Sequence, residues 1–231
     1  MSNEQSNNMK GSFDNFMNYY SREIPRVLKQ QVHWENLNFY QKTVVLYQMT
    51  FVFCERFLPK YGDRTVDQMV QAARSGKQNI VEGSADGMTS TEMELKLLNV
   101  ARASIKELRE DYEDYVISRQ LTMWKNGHQR YNQLLVFCRQ HNKLDDYELF
   151  FQKWNAEEMA NTALTLCHQV DKMMMTYIEG KERQFVKEGG IKERMYAART
   201  GYRQGIDQRL KALEAENARL KEILKAHGIN F

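Results

Sequence analysis

Residues 89–115 read TSTEMELKLLNVARASIKELREDYEDY, and this run decides the fold. Thr89 with Glu92, and Thr91 with Glu94, form two overlapping capping boxes, in which a hydroxyl and a carboxylate three residues on satisfy backbone N–H groups at a helix start. Beyond them Met93, Leu97, Val100, Ser104, Leu108, Tyr112 and Tyr115 recur at three- and four-residue steps. That stripe predicts an amphipathic helix to about Gln120.

The same period extends in both directions. Upstream, Leu37, Tyr40, Val44, Tyr47, Phe51 and Cys54 predict a helix from about Trp34 to Phe57, stopped by Pro59 and Gly62. A second helix starts near Asp63 or Thr65, carries Val66, Met69, Val70, Ala73, Ile80 and Val81, and ends at Gly83 in a turn reaching Gly87. Downstream, Trp124 to His128 breaks the pattern, Tyr131 to Arg139 is a short apolar helix or ordered connection, and His141 to Asp146 is polar. A fourth helix then runs from about Tyr147 to Lys187 on Phe151, Trp154, Met159, Ala163, Leu166, Val170, Met174, Tyr177 and Ile178. Within Met173-Met174-Met175 core filling is the better reading than a binding surface, because three adjacent residues cannot share one helix face. With only two prolines, Pro25 and Pro59, the chain lacks the punctuation of strand-and-turn folds. The expected class is all-α, with an antiparallel up-and-down four-helix bundle over residues 34–187.

The ends read differently. Residues 1–33 are expected to be a polar tail and a short amphipathic helix on Phe13, Phe16, Met17, Tyr20 and Ile24. Neither a basic n-region nor an apolar h-region opens the chain, and no apolar run approaches the roughly 20 residues of a membrane span. Cys54, Cys138 and Cys167 are odd in number and set in helical stretches, so they read as reduced core residues, and a cytoplasmic location without membrane contact is expected.

From Lys181 onward, twelve Lys/Arg stand against seven Asp/Glu, while the remainder has 21 against 23. Two readings of this basic end stand, a polyanionic partner and a solvated helix face. Gly189-Gly190 predicts a hinge, residues 188–205 a basic helical segment, and residues 206–231 a coiled-coil helix. In the last of these Ile206, Leu213 and Leu220 fall at d and Leu210, Asn217 and Leu224 at a. A lone Asn at a favours a parallel two-stranded register, and Arg209 with Glu214 and Glu216 with Lys221 are attractive g-to-e pairs between parallel chains. A helix laid back on the bundle is the alternative.

Catalytic and metal motifs are not evident. Three positions before His33, His128, His141, His168 and His227 stand Gln30, Lys125, Cys138, Thr165 and Leu224, so no Glu-x-x-His pair of the di-iron kind occurs. There is no His-Glu-x-x-His and no Cys-x-x-Cys. Around Gly76-Lys77 a phosphate loop fails, with Gln71 at the leading glycine and Gln78 at the Ser/Thr position. No cofactor, small-molecule substrate or catalytic residue is expected.

The block from Gln68 to Ser75, then Asn79-Ile-Val-Glu-Gly83, Ser90-Thr-Glu92 and Ala101 to Leu108, resembles the bacterial four helix bundle proteins encoded in 23S rRNA intervening sequences. The accessory protein of diversity-generating retroelements belongs to the same group. The resemblance covers roughly residues 36–185. Residues Phe185 to Arg199 are similar to the variety with a suffix domain. Relatives carry Ile-Pro where this chain has Gly76-Lys77, which assigns the bend of the second helix to glycine. The resemblance implies a bundle without assigned enzymatic activity. It also implies rings of five in some members, and binding of a reverse transcriptase and nucleic acid through basic surface in one. Ser75, Asn79, Glu82 and Gly83 are then structural motif residues, Asn79 and Glu82 locking the next helix start. The expected function is a homo-oligomeric adaptor binding RNA or a nucleoprotein through Lys187, Lys192, Arg194, Arg199 and Arg203. A protein-interaction scaffold joined by the coiled coil, without nucleic acid, is the second reading.

Overall fold

The computed structural model describes residues 27–28, 33–59 and 64–228. Among these residues every regular element is helical and no strand occurs. The chain divides into two units, one of residues 29–188 and one of residues 1–28 with 189–231.

In the larger unit a 3-10 turn at Trp34–Asn36 precedes α1 (Asn38–Phe57), α2 (Arg64–Asp86), α3 (Thr91–Ser118), α4 (Tyr131–Gln140), α5 (Asp145–Phe151) and α6 (Ala156–Glu188). α1 packs on α2 and α6, α2 on α3, and α3 on α6, so four long helices close on one core. Phe39, Leu46, Met49 and Phe53 enter it from α1, Met69 and Ile80 from α2, Leu98, Leu108 and Tyr112 from α3, and Leu166, Val170 and Met174 from α6. All three cysteines are buried, and none forms a disulfide. The smaller unit holds α7 (Ile191–Ala226).

Helix ends follow local chemistry. Leu58 is extended before Pro59, the conformation proline imposes on its predecessor, and α1 stops there. Ser90, lying between the two expected capping threonines, is the N-cap of α3, and its Oγ accepts from Met93 N. At the other end Gln120 adopts φ +56°, with Leu121 N donating to Val116 O at 2.9 Å, a left-handed helix stop built without glycine.

Several expectations are corrected. α2 does not end at Gly83 but continues to Asp86. A Cβ at Gly83 would lie 3.2 Å from Leu97 Cβ and 3.3 Å from Glu94 O, so this glycine serves close approach of α3 rather than a turn. Gly76 is likewise buried inside α2, with Ile105 Cδ1 2.7 Å from where its Cβ would stand. The helix expected from Tyr147 is two helices. Asn155 Oδ1 accepts from Glu158 N while Glu158 Oε2 accepts from Asn155 N, a reciprocal cap that starts α6 afresh.

The buried face is also rotated on two helices. On α1 Phe51 is exposed, while Lys42, Leu46, Met49 and Phe53 are inward. This helix is apolar around most of its circumference, so periodicity left its phase open. On α3 Met93 and Val100 are exposed, whereas Glu94, Leu98, Ala101 and Ile105 are buried. Glu94 turns inward because Lys181 Nζ meets its carboxylate at 2.6 Å. The helix expected from Phe13, Phe16, Met17, Tyr20 and Ile24 and the cap candidate Asp63 lie outside the described residues.

Candidate functional site

α7 carries ten residues on one heptad stripe, at alternating four- and three-residue steps. They are Lys192, Tyr196, Arg199, Arg203, Ile206, Leu210, Leu213, Asn217, Leu220 and Leu224. The helix is unbroken from Ile191 to Ala226, so the basic segment and the apolar seam form one element across residues 205 and 206. Gly189, at φ +72°, ends α6 in a left-handed conformation, and Gly190 opens α7 from extended backbone. No residue of α7 is buried. Ile206, Leu210, Leu213 and Leu220 remain 40–54% exposed, as does Ile223 beside them.

The expected basic residues separate into three groups. Lys192, Arg199 and Arg203 share the stripe and are exposed. Arg194 points away from that stripe by helical position, and its Nε and Nη2 are shielded from solvent with no hydrogen-bond partner among the described residues. Lys187 belongs to α6, in the other unit. A cleft of about 640 Å³ runs along the upper part of the stripe, lined by Lys192, Met195, Tyr196, Ala198, Arg199 and Tyr202, with Val27 bordering it. The cleft combines cationic groups with aromatic and aliphatic surface.

The four expected motif residues all lie on α2, and two of them, Ser75 and Gly83, meet α3. Asn79 Nδ2 donates to Ser75 O at 2.9 Å and Ser75 Oγ at 3.1 Å, within its own helix. It therefore does not lock the next helix start. Ser104 Oγ donates to Ser75 Oγ at 3.0 Å, so Ser75 makes the bridge to α3. Glu82 is exposed, and Gly83 is the contact point described above.

Two further clefts lie on the larger unit. One, of about 910 Å³ between α2 and α3, is lined by Asp67, Glu107, Glu110, Asp111 and Asp114 together with Ser75 and Ser104. Burial, then Asp114, Glu107 and Glu110, push the Asp111 carboxyl up to about 6. Such a surface repels phosphate. The other, of about 1060 Å³, is bordered by α6, α4 and the connection from α3, and includes Glu113, Trp124, Asn161, His168 and Asp171. Its acids are engaged by arginines: Arg109 Nε reaches Glu113 at 3.3 Å along α3, and Arg102 Nε of α3 reaches Asp171 of α6 at 2.8 Å.

The connection after α3 is stitched to α6. Asn161 Oδ1 accepts from Trp124 N at 2.7 Å, and its Nδ2 donates to Thr122 O at 2.9 Å. Glu157 accepts from Thr122 N and Trp124 Nε1, and the Thr122 backbone bond above all holds its carboxyl below the usual range. Sequence patterns missed this region because its partners are 33 to 39 residues apart. Among the described residues no three His, Cys, Asp or Glu side chains converge as a metal-ligand set, and no helix is long and apolar enough to cross a membrane.

No family model matches the chain, and no curated protein or solved structure matches it.

Proposed function

We propose that this chain is a non-enzymatic adaptor in which α7 joins two copies in parallel and presents basic side chains to nucleic acid or a nucleoprotein. The body is read as an antiparallel up-and-down four-helix bundle, a divergent relative of the intervening-sequence proteins, working in the cytoplasm. The observation that carries the proposal is the exposed seam of Ile206, Leu210, Leu213 and Leu220 on a helix with no buried residue. A second copy supplies the missing face: covering each half-exposed side chain contributes on the order of 1 kcal/mol. Arg209 opposite Glu214 and Glu216 opposite Lys221 match in charge only when the chains run parallel and in register. The acidic groove between α2 and α3 disfavours phosphate on that face of the body, whereas Lys192, Arg199 and Arg203 offer a cationic stripe that matches it.

Sedimentation equilibrium of the full chain tests the assembly. A dimer is expected, reverting to a monomer with Leu213→Glu and Leu220→Glu or with a chain ended at Gly205. A monomeric full chain at micromolar concentration removes the proposal. RNA titrated at two salt concentrations tests the partner, with affinity falling steeply as salt rises. A dimer that ignores both RNA and duplex DNA even at low salt favours the scaffold reading, in which the seam alone is functional.

A further inference from the structure

The heptad stripe of α7 changes character once, between Arg203 and Ile206, without any break in the helix. Below that junction its a and d positions are Ile206, Leu210, Leu213, Asn217, Leu220 and Leu224. Above it, in the same register, they are Lys192, Tyr196, Arg199 and Arg203. In a parallel pair each a or d residue faces its own copy. Closing the upper part would therefore set Arg203, Arg199 and Lys192 each against an identical cation in a desolvated seam, where neither charge has a partner.

We infer that the paired α7 helices fork apart above Ile206 and grip a B-form nucleic-acid duplex between two cationic arms. This rests on the parallel pairing proposed above. Side chains that face the partner below the junction face whatever lies between the arms above it. The occupant must be polyanionic and present phosphates on two sides. Each arm, from Lys192 to Arg203, is roughly 18 Å long at the α-helical rise, about half a turn of B-DNA. An α-helix fits the B-form major groove, whereas the A-form major groove is too deep and narrow to admit one. Only Tyr196 among the stripe residues offers a stacking face, too sparse a platform for a single strand. Arg199 and Lys192 also line the cleft bordered by Val27, yet both remain exposed. The same combination of a zipper and a continuous basic helix operates in basic-zipper dimers.

The test uses the full chain, a 20-base-pair DNA duplex, an RNA duplex of the same length and the 20-nucleotide DNA strand, with anisotropy measured across a salt series. Three cations on each arm predict a log–log salt slope of about −5 for the DNA duplex. The single strand and the RNA duplex should bind roughly tenfold or more weakly. Arg199→Leu with Arg203→Leu lengthens the apolar seam, so the dimer should resist dilution better while the salt slope falls to about −2. Arg199→Glu with Arg203→Glu should lose duplex binding with no tightening of the dimer, and far-UV circular dichroism confirms that both variants stay helical. Single strand binding as tightly as DNA duplex overturns the inference. So does a leucine variant that keeps full duplex affinity or fails to tighten the dimer. A monomeric wild-type chain removes the pairing itself, a different failure recognised before any nucleic acid is added.

Discussion

Lys42 is 1% exposed, in the second turn of α1 on its buried side. Its ammonium donates to Cys138 O and, at 2.8 Å, to His141 O, two carbonyls at the end of α4. A cation there satisfies acceptors that the helix leaves open and meets the negative end of its dipole. Burial lowers the Lys42 pKa, partly offset by Cys138 and Asp146. Lys42→Met keeps the volume but removes both bonds, leaving His141 O with the Tyr147 hydroxyl alone, so a loss of about 1–3 kcal/mol is expected in chemical denaturation. An unchanged denaturation midpoint would contradict this account of the α1–α4 contact. Asp111 makes the opposite case. Its carboxyl is raised to about 6 by burial and by Asp114, Glu107 and Glu110, with Asp67 of α2 lining the same groove. The folded state then holds a proton that the unfolded state releases between about 4 and 6, so this group destabilises the fold as pH rises through that window. Asp111→Asn should raise the melting temperature at pH 7.5 and lose that advantage near pH 4. A melting-temperature difference independent of pH would show that Asp111 does not titrate in this way. Neither residue was singled out from the chain, because a lysine and an aspartate in helical stretches look solvated until the neighbouring helices are placed.

Among the elements, α7 was legible as two segments, 188–205 and 206–231, which the structure joins into one helix. Its heptad was visible from Ile206 to Leu224, and the structure carries the same register upward to Lys192 in one continuous helix. Asn217 is the one polar residue of the apolar seam. Asn217→Leu should tighten self-association while relaxing its two-stranded choice, seen as higher-order species in sedimentation equilibrium. A variant that stays strictly dimeric with unchanged affinity would show that Asn217 lies off the interface. The start of α6 was less legible. One helical stripe runs through residues 147–187, but Asn155 with Glu158 interrupts it with a reciprocal cap that divides α5 from α6. Gly83 misled in the other direction: glycine signals a helix end when its φ is positive, but here it removes a side chain where α3 crosses.

Across the larger unit, long-range polar ties determine how the connections lie. Asn161 is 3% exposed and joins α6 to Thr122 and Trp124, bonds that also involve the Glu157 backbone. Asn161→Ala should free residues 119–130, with faster amide exchange at Trp124 and a loss of about 2 kcal/mol in stability. Exchange unchanged at Trp124 would assign the loop's order to Glu157 alone. Tyr112, fully buried, donates to Thr50 Oγ1 at 3.0 Å and fixes α3 against α1 in the same manner.

The chain alone determined the all-helical class, the approximate span of most helices, the burial of the cysteines and the heptad spacing of α7. Each depends on residues within a few turns of one another. Tertiary structure alone decided which face of α1 and α3 is buried, why Gly76 and Gly83 must be small, and where Lys42, Glu94 and Asn161 find partners. Those answers depend on the approach of segments dozens of residues apart, and a period of 3.6 sets the spacing of a stripe without saying which neighbour will cover it.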